Sequence, residues 1–243
     1  MAPAVAASRA WMAEGTELFL RAMRSTSDDA LAGPTALAGW TGKHVLAHVA
    51  ANADALGNLV RWAGTGEETP MYFSPEQRNA DIADGAERPV PDLREWVARS
   101  AKELEAGLDA LTDEQWQHEV RTAQGRLVPA TEIPWMRTRE VMVHAFDLSG
   151  AVGFRDMPHE FHAALLDDIV AKRSSTADGP TLHLEPTDHG RRWDVAGTGN
   201  PTTIRGALSQ LAAYLSGRQA IGLRASRADE PAGDSVPDLP RWL

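Results

Sequence analysis

The chain of 243 residues contains no cysteine, and this absence excludes several kinds of chemistry. Disulfide bonds, iron–sulfur clusters, thiolate zinc sites and cysteine nucleophiles all require a side chain that the protein does not have. A metal ion would therefore have to be held by His, Asp and Glu. If the reaction of the protein needs a thiol, that thiol must come from another molecule.

An excess of basic residues and a long apolar run are also lacking. The formal net charge of −10 argues against a general nucleic-acid-binding protein, which needs a basic surface. No apolar run approaches the ~20 residues of a membrane-spanning helix. The Ala-rich N-terminus lacks the basic flank of a signal peptide. We therefore expect a cytoplasmic monomer that has neither a nucleic-acid nor a membrane partner.

Residues 1–174 have the pattern of an antiparallel helical bundle. Apolar residues at helical spacing, with Pro or a capping residue near several starts, indicate the helices. The predicted helices span residues 5–25, the segment after the N-cap Thr41, the segment that begins at Ser74-Pro75, and residues 92–111, 132–149 and 158–173. Residues 119–130 suit a small hairpin or an irregular crossover.

The polar segment "SSTADGP" at residues 174–180 separates the bundle from a region of different character. "TLHLE" alternates apolar and polar residues as a half-buried strand does, and "RRWDVA" can pair with it. "TTIRG" is a candidate third strand, and the apolar helix "ALSQLAAYLSGR" follows it. We therefore predict a second, α+β domain over residues 175–243, which ends in an Asp/Pro-rich tail.

Glu140 and His144 lie four residues apart on a predicted helix, so their side chains share one helical face. Two such side chains can bind one ion, because metal–nitrogen and metal–oxygen bonds are both near ~2.0–2.2 Å. A histidine from a facing helix would complete a two-histidine, one-carboxylate set, which several catalytic zinc sites use. The candidates are His44 and His48 in "GWTGKHVLAHVA". His48 lies a full turn inside its helix, whereas His44 lies in the first turn.

Each of these residues also has an ordinary structural interpretation. A Glu–His pair at this spacing is often a surface hydrogen bond, and a di-iron bundle is disfavoured because it needs further carboxylates. "HEFH" at residues 159–162 has the wrong spacing for a zincin helix, and we interpret its two histidines as solvated. Arg78 and Arg218 are surface residues by default, although a guanidinium would suit an anionic substrate because it binds a carboxylate in a bidentate manner.

Two runs of residues resemble the mycothiol-dependent maleylpyruvate isomerases, which belong to the wider superfamily of DinB-like metal-binding helical bundles. The first extends from "GWTGKHVLAHVA" to "SPEQRNADI", and the second is "VPATEIPWMRTREVMVHAFDL". The resemblance covers nearly the whole chain, including "LSGR" at the end of the last predicted helix. It implies a fold of the α + α/β class, with an N-terminal DinB-like four-helix bundle and a small C-terminal α+β domain similar to sterol carrier proteins.

The same resemblance implies roles for individual residues. The implied zinc ligands are His48, Glu140 and His144. It leaves His44 out, and it makes Arg78 and Arg218 catalytic groups, with Arg218 supplied by the C-terminal domain. Asn52, one turn past His48 on the same helical face, is a candidate cofactor-binding residue.

The implied function is the cis–trans isomerisation of maleylpyruvate to fumarylpyruvate in gentisate-type aromatic catabolism, with zinc and mycothiol as cofactors. Mycothiol would supply the sulfur that the chain lacks, and zinc would hold it as a thiolate. Addition of the thiolate to the double bond, rotation about the resulting single bond and elimination would give the trans isomer. The two arginines would hold the carboxylates of the substrate or its developing enolate oxygen.

Two other functions stay open on the sequence alone. A zinc-dependent mycothiol S-transferase that acts on another electrophile would use the same ligands, because addition without elimination makes the same demands on them. A non-catalytic binding module would belong to a different class and would need no zinc.

Overall fold

The structure, a computed structural model, describes residues 2–148, 151–227 and 230–242, and the contacts within it divide the chain into two units. The first unit spans Pro3–Val152, and the second begins at Gly153. None of the described helices is long and apolar enough to cross a lipid bilayer.

The described part of the first unit is mostly helical, and a short antiparallel hairpin precedes α6. In chain order the elements are α1 (Val5–Ser25), α2 (Asp28–Ala32), α3 (Gly42–Thr65), α4 (Pro75–Glu87), α5 (Val90–Asp109), β1 (Glu119–Arg121), β2 (Leu127–Pro129) and α6 (Ile133–Leu148). Helix α1 packs against α6, and α3 packs against α4, α5 and α6. The long helices α1, α3, α5 and α6 form the bundle that the sequence predicts.

Capping residues define the starts of α3 and α4, as their sequence predicts. The backbone N–H of Thr41 donates to Nδ1 of His44 at 3.3 Å, and the Thr41 hydroxyl lies 2.8 Å from the same nitrogen. Ser74 accepts a hydrogen bond from the N–H of Gln77 at 3.1 Å, and Pro75 is the first residue of α4. His44 is therefore part of a helix cap.

Apolar packing fixes the positions of α3 and α6 in the bundle. Leu56 of α3, Leu108 of α5 and Ile133 of α6 are fully buried in one cluster, and each such side chain contributes about 2 kcal/mol by its burial. Helix α1 passes close to α6 at Gly15, where a Cβ atom would lie 2.7 Å from Cγ2 of Val141. The two helices that carry the candidate ligands are thus held by a continuous core.

Among its described residues, the second unit contains a five-stranded sheet and two α-helices. In chain order the elements are α7 (His159–Thr176), β3 (Pro180–Pro186), β4 (Trp193–Val195), β5 (Thr198–Gly206), α8 (Leu208–Leu215), β6 (Arg224–Arg227) and β7 (Glu230–Gly233). The strand order is β4-β3-β5-β6-β7; β3 and β5 are parallel and the other pairs are antiparallel. Strand β7 lies within the Asp/Pro-rich tail and β6 extends into its start; the sequence pattern predicts neither strand.

The sequence predicts a domain boundary between residues 174 and 175, after helix α7, whereas the two units of the structure divide before α7. This helix packs against α8 and β4, so the structure groups it with the second unit. Its buried Arg173 contributes to that packing, because the guanidinium donates to the Leu215 carbonyl at 2.8 and 3.2 Å and to the Pro240 carbonyl at 3.0 Å.

The interpretation of His162 as a solvated residue is wrong. Its side chain is 2% exposed, and Nε2 bonds to the Phe154 carbonyl at 2.8 Å. The sequence spacing within "HEFH" could not reveal this burial, because the covering segment precedes α7 and contacts it only in the folded unit. His159, by contrast, is 45% exposed.

Candidate metal centre

Helix α3 carries His48 into the interior of the bundle, where the side chain is 5% exposed. It lies six residues past the start of α3, on the helix face that packs against α6. His44, one turn earlier, has Nδ1 engaged by the backbone and hydroxyl of Thr41. The two histidines of the "HVLAH" run therefore differ in environment, and the structure directs only His48 toward α6.

Glu140 and His144 face His48 from one turn of α6. Oε2 of Glu140 lies 2.9 Å from Nε2 of His48 and 3.4 Å from Nε2 of His144. The two imidazole rings stand nearly perpendicular, at 83°, with their centroids 4.8 Å apart. The donor atoms of all three residues lie within 4.8 Å of one another.

These three side chains could hold a metal ion, and their chemistry suits zinc. Two imidazole nitrogens and one carboxylate oxygen are a donor set of catalytic zinc sites, in which a fourth position stays open. Ligands at ~2.0–2.1 Å in tetrahedral directions lie about 3.3 Å apart, close to the separation between Glu140 and His144. Within the ranges that the structure describes, no other cluster of three such donors comes together.

The charge states of Glu140 and His48 suit the binding of a cation. Burial would raise the pKa of Glu140, but the electrostatic interaction with His48 and hydrogen bonds with both histidines outweigh burial and hold that pKa well below its usual range. Burial lowers the pKa of His48 despite the opposing effect of Glu140. Glu140 is consequently a carboxylate and His48 a neutral imidazole at neutral pH, which are the forms that bind metals.

Asp147 orients His144, and the sequence-based reasoning missed it. Its fully buried side chain accepts a hydrogen bond from Nδ1 of His144 at 2.8 Å. Burial would lower the pKa of His144, but the hydrogen bonds to Asp147 and Glu140 outweigh burial and raise it. A carboxylate on Nδ1 leaves Nε2 to face the ion, as is usual for histidine ligands. The sequence signal for this contact is "HAFD", in which the His and the Asp lie three residues apart on one face of the helix.

Trp40 lies beside the histidines as a half-buried aromatic side chain. Its ring centroid is 5.2 Å from that of His48 and 6.4 Å from that of His144, and it stacks on His44 at 6.3 Å. Trp40 therefore covers part of both candidate ligands and restricts their rings.

Arg78 of α4, which the family resemblance implies as a catalytic residue, lies beside His48. Its Nη2 is 3.4 Å from Nδ1 of His48, and its Nη1 donates to Asn79 at 3.1 Å. The guanidinium carbon is 5.9 Å from the ring centroid of Tyr72. Burial raises the pKa of the Tyr72 phenol to about 12, so this hydroxyl stays protonated and can donate a hydrogen bond. Tyr72 was not among the predicted site residues.

The other two predicted site residues are Asn52, which is engaged by a buried arginine, and Arg218, which lies in the second unit. Asn52 is buried one turn beyond His48, and its side-chain oxygen accepts a hydrogen bond from Arg137 at 2.9 Å. Arg218 belongs to the second unit, where it follows the C-terminus of α8. Its backbone N–H bonds to the Ala213 carbonyl at 2.9 Å, and the preceding Gly217 has φ 77°, which completes a Schellman-type cap. The cap fixes the backbone that carries the arginine.

Comparisons with known proteins agree with this geometry. The sequence profile described as the mycothiol maleylpyruvate isomerase N-terminal domain matches residues 11–149. A crystal structure of the mycothiol-dependent maleylpyruvate isomerase is similar to this chain at 36% identity and a TM-score of 0.92, over 99% of this chain and 98% of that one. A crystal structure of a mutant of that enzyme, with one histidine replaced by alanine, is similar to the same extent. No curated protein sequence matched the chain.

Proposed function

The chain belongs to the mycothiol-dependent maleylpyruvate isomerase family, and on this premise we propose that it isomerises maleylpyruvate to fumarylpyruvate with mycothiol as the thiol cofactor. The observation that carries the proposal is the convergence of His48, Glu140 and His144 from two helices on one point. Together with the 36% identity over 99% of the chain, it supports the complete reaction of the family.

The three converging residues are the proposed zinc ligands. Zinc bound there would keep the thiol of mycothiol in its nucleophilic thiolate form at neutral pH, when free thiols are mostly protonated. The chain has no cysteine that could compete for the ion or form a mixed disulfide with the cofactor. The lack of cysteine thus fits a reaction in which all the sulfur chemistry is done by a small molecule.

The substrate places its own demands on the protein. Its cis double bond must become a single bond for long enough to rotate, and negative charge then develops on the oxygen of the neighbouring ketone. Donors that are already oriented toward such an oxygen can lower the barrier by several kcal/mol. Arg78 and the protonated hydroxyl of Tyr72 are the proposed donors from the first unit.

A change of tautomer at His48 would link metal binding to the availability of Arg78 for the substrate. Because the carboxylate of Glu140 can only accept, its contact with Nε2 of His48 assigns the proton to Nε2 and leaves Nδ1 to accept from Arg78. When Nε2 is a metal ligand, the neutral ring carries its proton on Nδ1, which can then no longer accept a hydrogen bond. The Arg78 guanidinium is thereby free to bind a carboxylate of the substrate.

Arg218 is the proposed catalytic arginine of the second unit, on the strength of its sequence position in "LSGR". Asn52 remains a proposed contact to the thiol cofactor. Since its oxygen is engaged by Arg137, that contact would be made through its amide nitrogen. The cytoplasmic location and the monomeric state stay predictions.

An isomerisation assay tests the proposed function. Zinc-loaded protein with maleylpyruvate should form fumarylpyruvate only when mycothiol is present, and removal of zinc by a chelator should abolish the reaction. Chromatographic identification of the products separates the isomerase from an S-transferase, which would accumulate a thioether. Accumulation of the thioether without the trans isomer would refute the proposal.

A further inference from the structure

Arg137 is the largest fully buried side chain of the described residues, at 1% exposure, and it lies one turn before Glu140 on α6. Burial lowers the pKa of its guanidinium to about 10, so the group still carries its charge at neutral pH. A buried charge is unfavourable by several kcal/mol unless hydrogen bonds and opposite charges compensate for it. The groups that compensate for this buried charge indicate what Arg137 does in the fold.

The hydrogen bonds of Arg137 join α6 to α3. Its Nη1 donates to the carbonyl of Val49 at 2.7 Å and to the side-chain oxygen of Asn52 at 2.9 Å. Both acceptors are neutral and belong to the turn of α3 that begins at His48. The negative charges of Glu140 and Asp54 act on the guanidinium as well, and they partly oppose the effect of its burial.

The geometry points to a positioning role: Arg137 holds the turn of α3 that contains His48 in register with the turn of α6 that contains Glu140 and His144. This inference rests on the proposed metal site. One anchor is the backbone of the residue that follows His48, so a displacement of that turn would move the His48 nitrogen directly. Arg137 belongs to neither the proposed ligand set nor the groups assigned to the substrate.

The charge of Arg137 and its position have opposite effects on the affinity for zinc. A buried cation repels a second cation, so loss of the charge alone would strengthen zinc binding. Loss of the anchoring bonds would weaken it, because the donor atoms would no longer be held at matching distances. Variants that keep the charge and remove an anchor therefore separate the two effects.

Asn52→Ala and Arg137→Lys are such variants. The first removes one acceptor and leaves the guanidinium, and the second keeps a cation on a side chain too short to reach both acceptors. We expect each folded variant to bind zinc about 10-fold more weakly than the wild type, within the range of about 10–100-fold for groups that orient metal ligands. Zinc dissociation constants come from competition with a chromophoric chelator, and circular dichroism of the metal-free proteins reports folding.

Arg173→Lys is the matched control, because Arg173 is also a buried arginine that donates to carbonyl oxygens, but in the second unit. It should lower the melting temperature and leave the zinc dissociation constant unchanged. Equal zinc affinities in the wild type and Asn52→Ala would overturn the positioning role, and Asn52→Ala decides the matter if Arg137→Lys does not fold. Wild-type protein that binds no zinc would instead refute the proposed metal site, and the inference with it.

Discussion

The bundle and the second unit both bury a histidine within a helix, but they surround it differently. In the bundle, His48 and His144 share Oε2 of Glu140, at 2.9 and 3.4 Å. In the second unit, His162 bonds to the Phe154 carbonyl, and its Nδ1 has no hydrogen-bond partner among the described residues. Burial alone therefore does not distinguish a ligand from a packing residue. Convergence of donors from separate helices does.

Replacement of His48 should have the largest effect, because it removes the convergence of donors that distinguishes the bundle from the second unit. His48→Ala should lose stoichiometric zinc and isomerase activity, because one of three proposed ligands is gone. Metal analysis after dialysis against zinc and a turnover assay measure both effects. The matched control is His44→Ala, one turn earlier on α3, which should keep both zinc and activity. A fully metallated and active His48→Ala protein would refute the ligand assignment.

Replacement of Arg218 tests whether the second unit contributes to the reaction and not to the metal. Arg218→Ala should keep zinc and lose about 100-fold or more in turnover, since loss of one charge-stabilising donor has an effect of that order. Steady-state kinetics and zinc analysis on one preparation give both values. Arg192→Ala, which removes an exposed arginine of the same unit, should be neutral in both. Unchanged turnover in Arg218→Ala would remove this residue from the mechanism.

Replacement of Asp147 tests whether the proposed ligand His144 must be oriented by a carboxylate, which the buried His162 of the second unit lacks among the described residues. Asp147→Asn preserves volume, but the amide no longer fixes the proton of His144 on Nδ1. We expect zinc affinity to fall about 10–100-fold in chelator competition. Asp109→Asn, at an exposed carboxylate of α5, should have no effect on affinity. An unaltered dissociation constant in Asp147→Asn would show that the histidine needs no such orientation.

Titration of the buried His162 should change the free energy of unfolding, and replacement of this residue should not change the zinc affinity. Burial lowers the pKa of His162 to about 4, so the unfolded chain binds a proton below pH 6.5 and the folded chain does not. The free energy of unfolding should therefore fall by about 2–3 kcal/mol between pH 7 and pH 4.5 because of this residue.

Urea unfolding at the two pH values, with zinc affinity at pH 7, checks this prediction. His162→Gln keeps a donor for the Phe154 carbonyl and does not titrate, so its unfolding free energy should depend less on pH than that of the wild type. Its zinc affinity should equal that of the wild type. Identical pH profiles for the two proteins would contradict the account of His162.

Most of the bundle could be predicted because its signals are local. The N-cap Thr41, the Ser74-Pro75 start and the apolar spacing of α5 each act within a few residues, and each predicted element is present. The pair Glu140 and His144 was accessible for the same reason, since a helix brings residues four apart onto one face. The choice of His48 over His44 came from the family resemblance, and the cap around His44 gives a physical reason for it.

The features that sequence reasoning missed depend on contacts between distant segments. Arg137 looks like a surface arginine of a helix until Val49 and Asn52, 85 or more residues away, are packed against it. Strands β6 and β7 lie at the start of the polar tail, in a segment whose residues carry weak strand propensity. They become strands because β6 finds hydrogen-bonding partners on the edge of β5, and β7 finds them on β6.

X-ray absorption at the zinc edge tests the central claim most directly. Zinc-loaded wild-type protein should show only nitrogen and oxygen neighbours, including two imidazoles, because the chain has no cysteine. Addition of mycothiol should introduce one sulfur neighbour at ~2.3 Å. A spectrum that mycothiol leaves unchanged, or one without imidazole scattering, would contradict a thiol-binding zinc site at His48, Glu140 and His144.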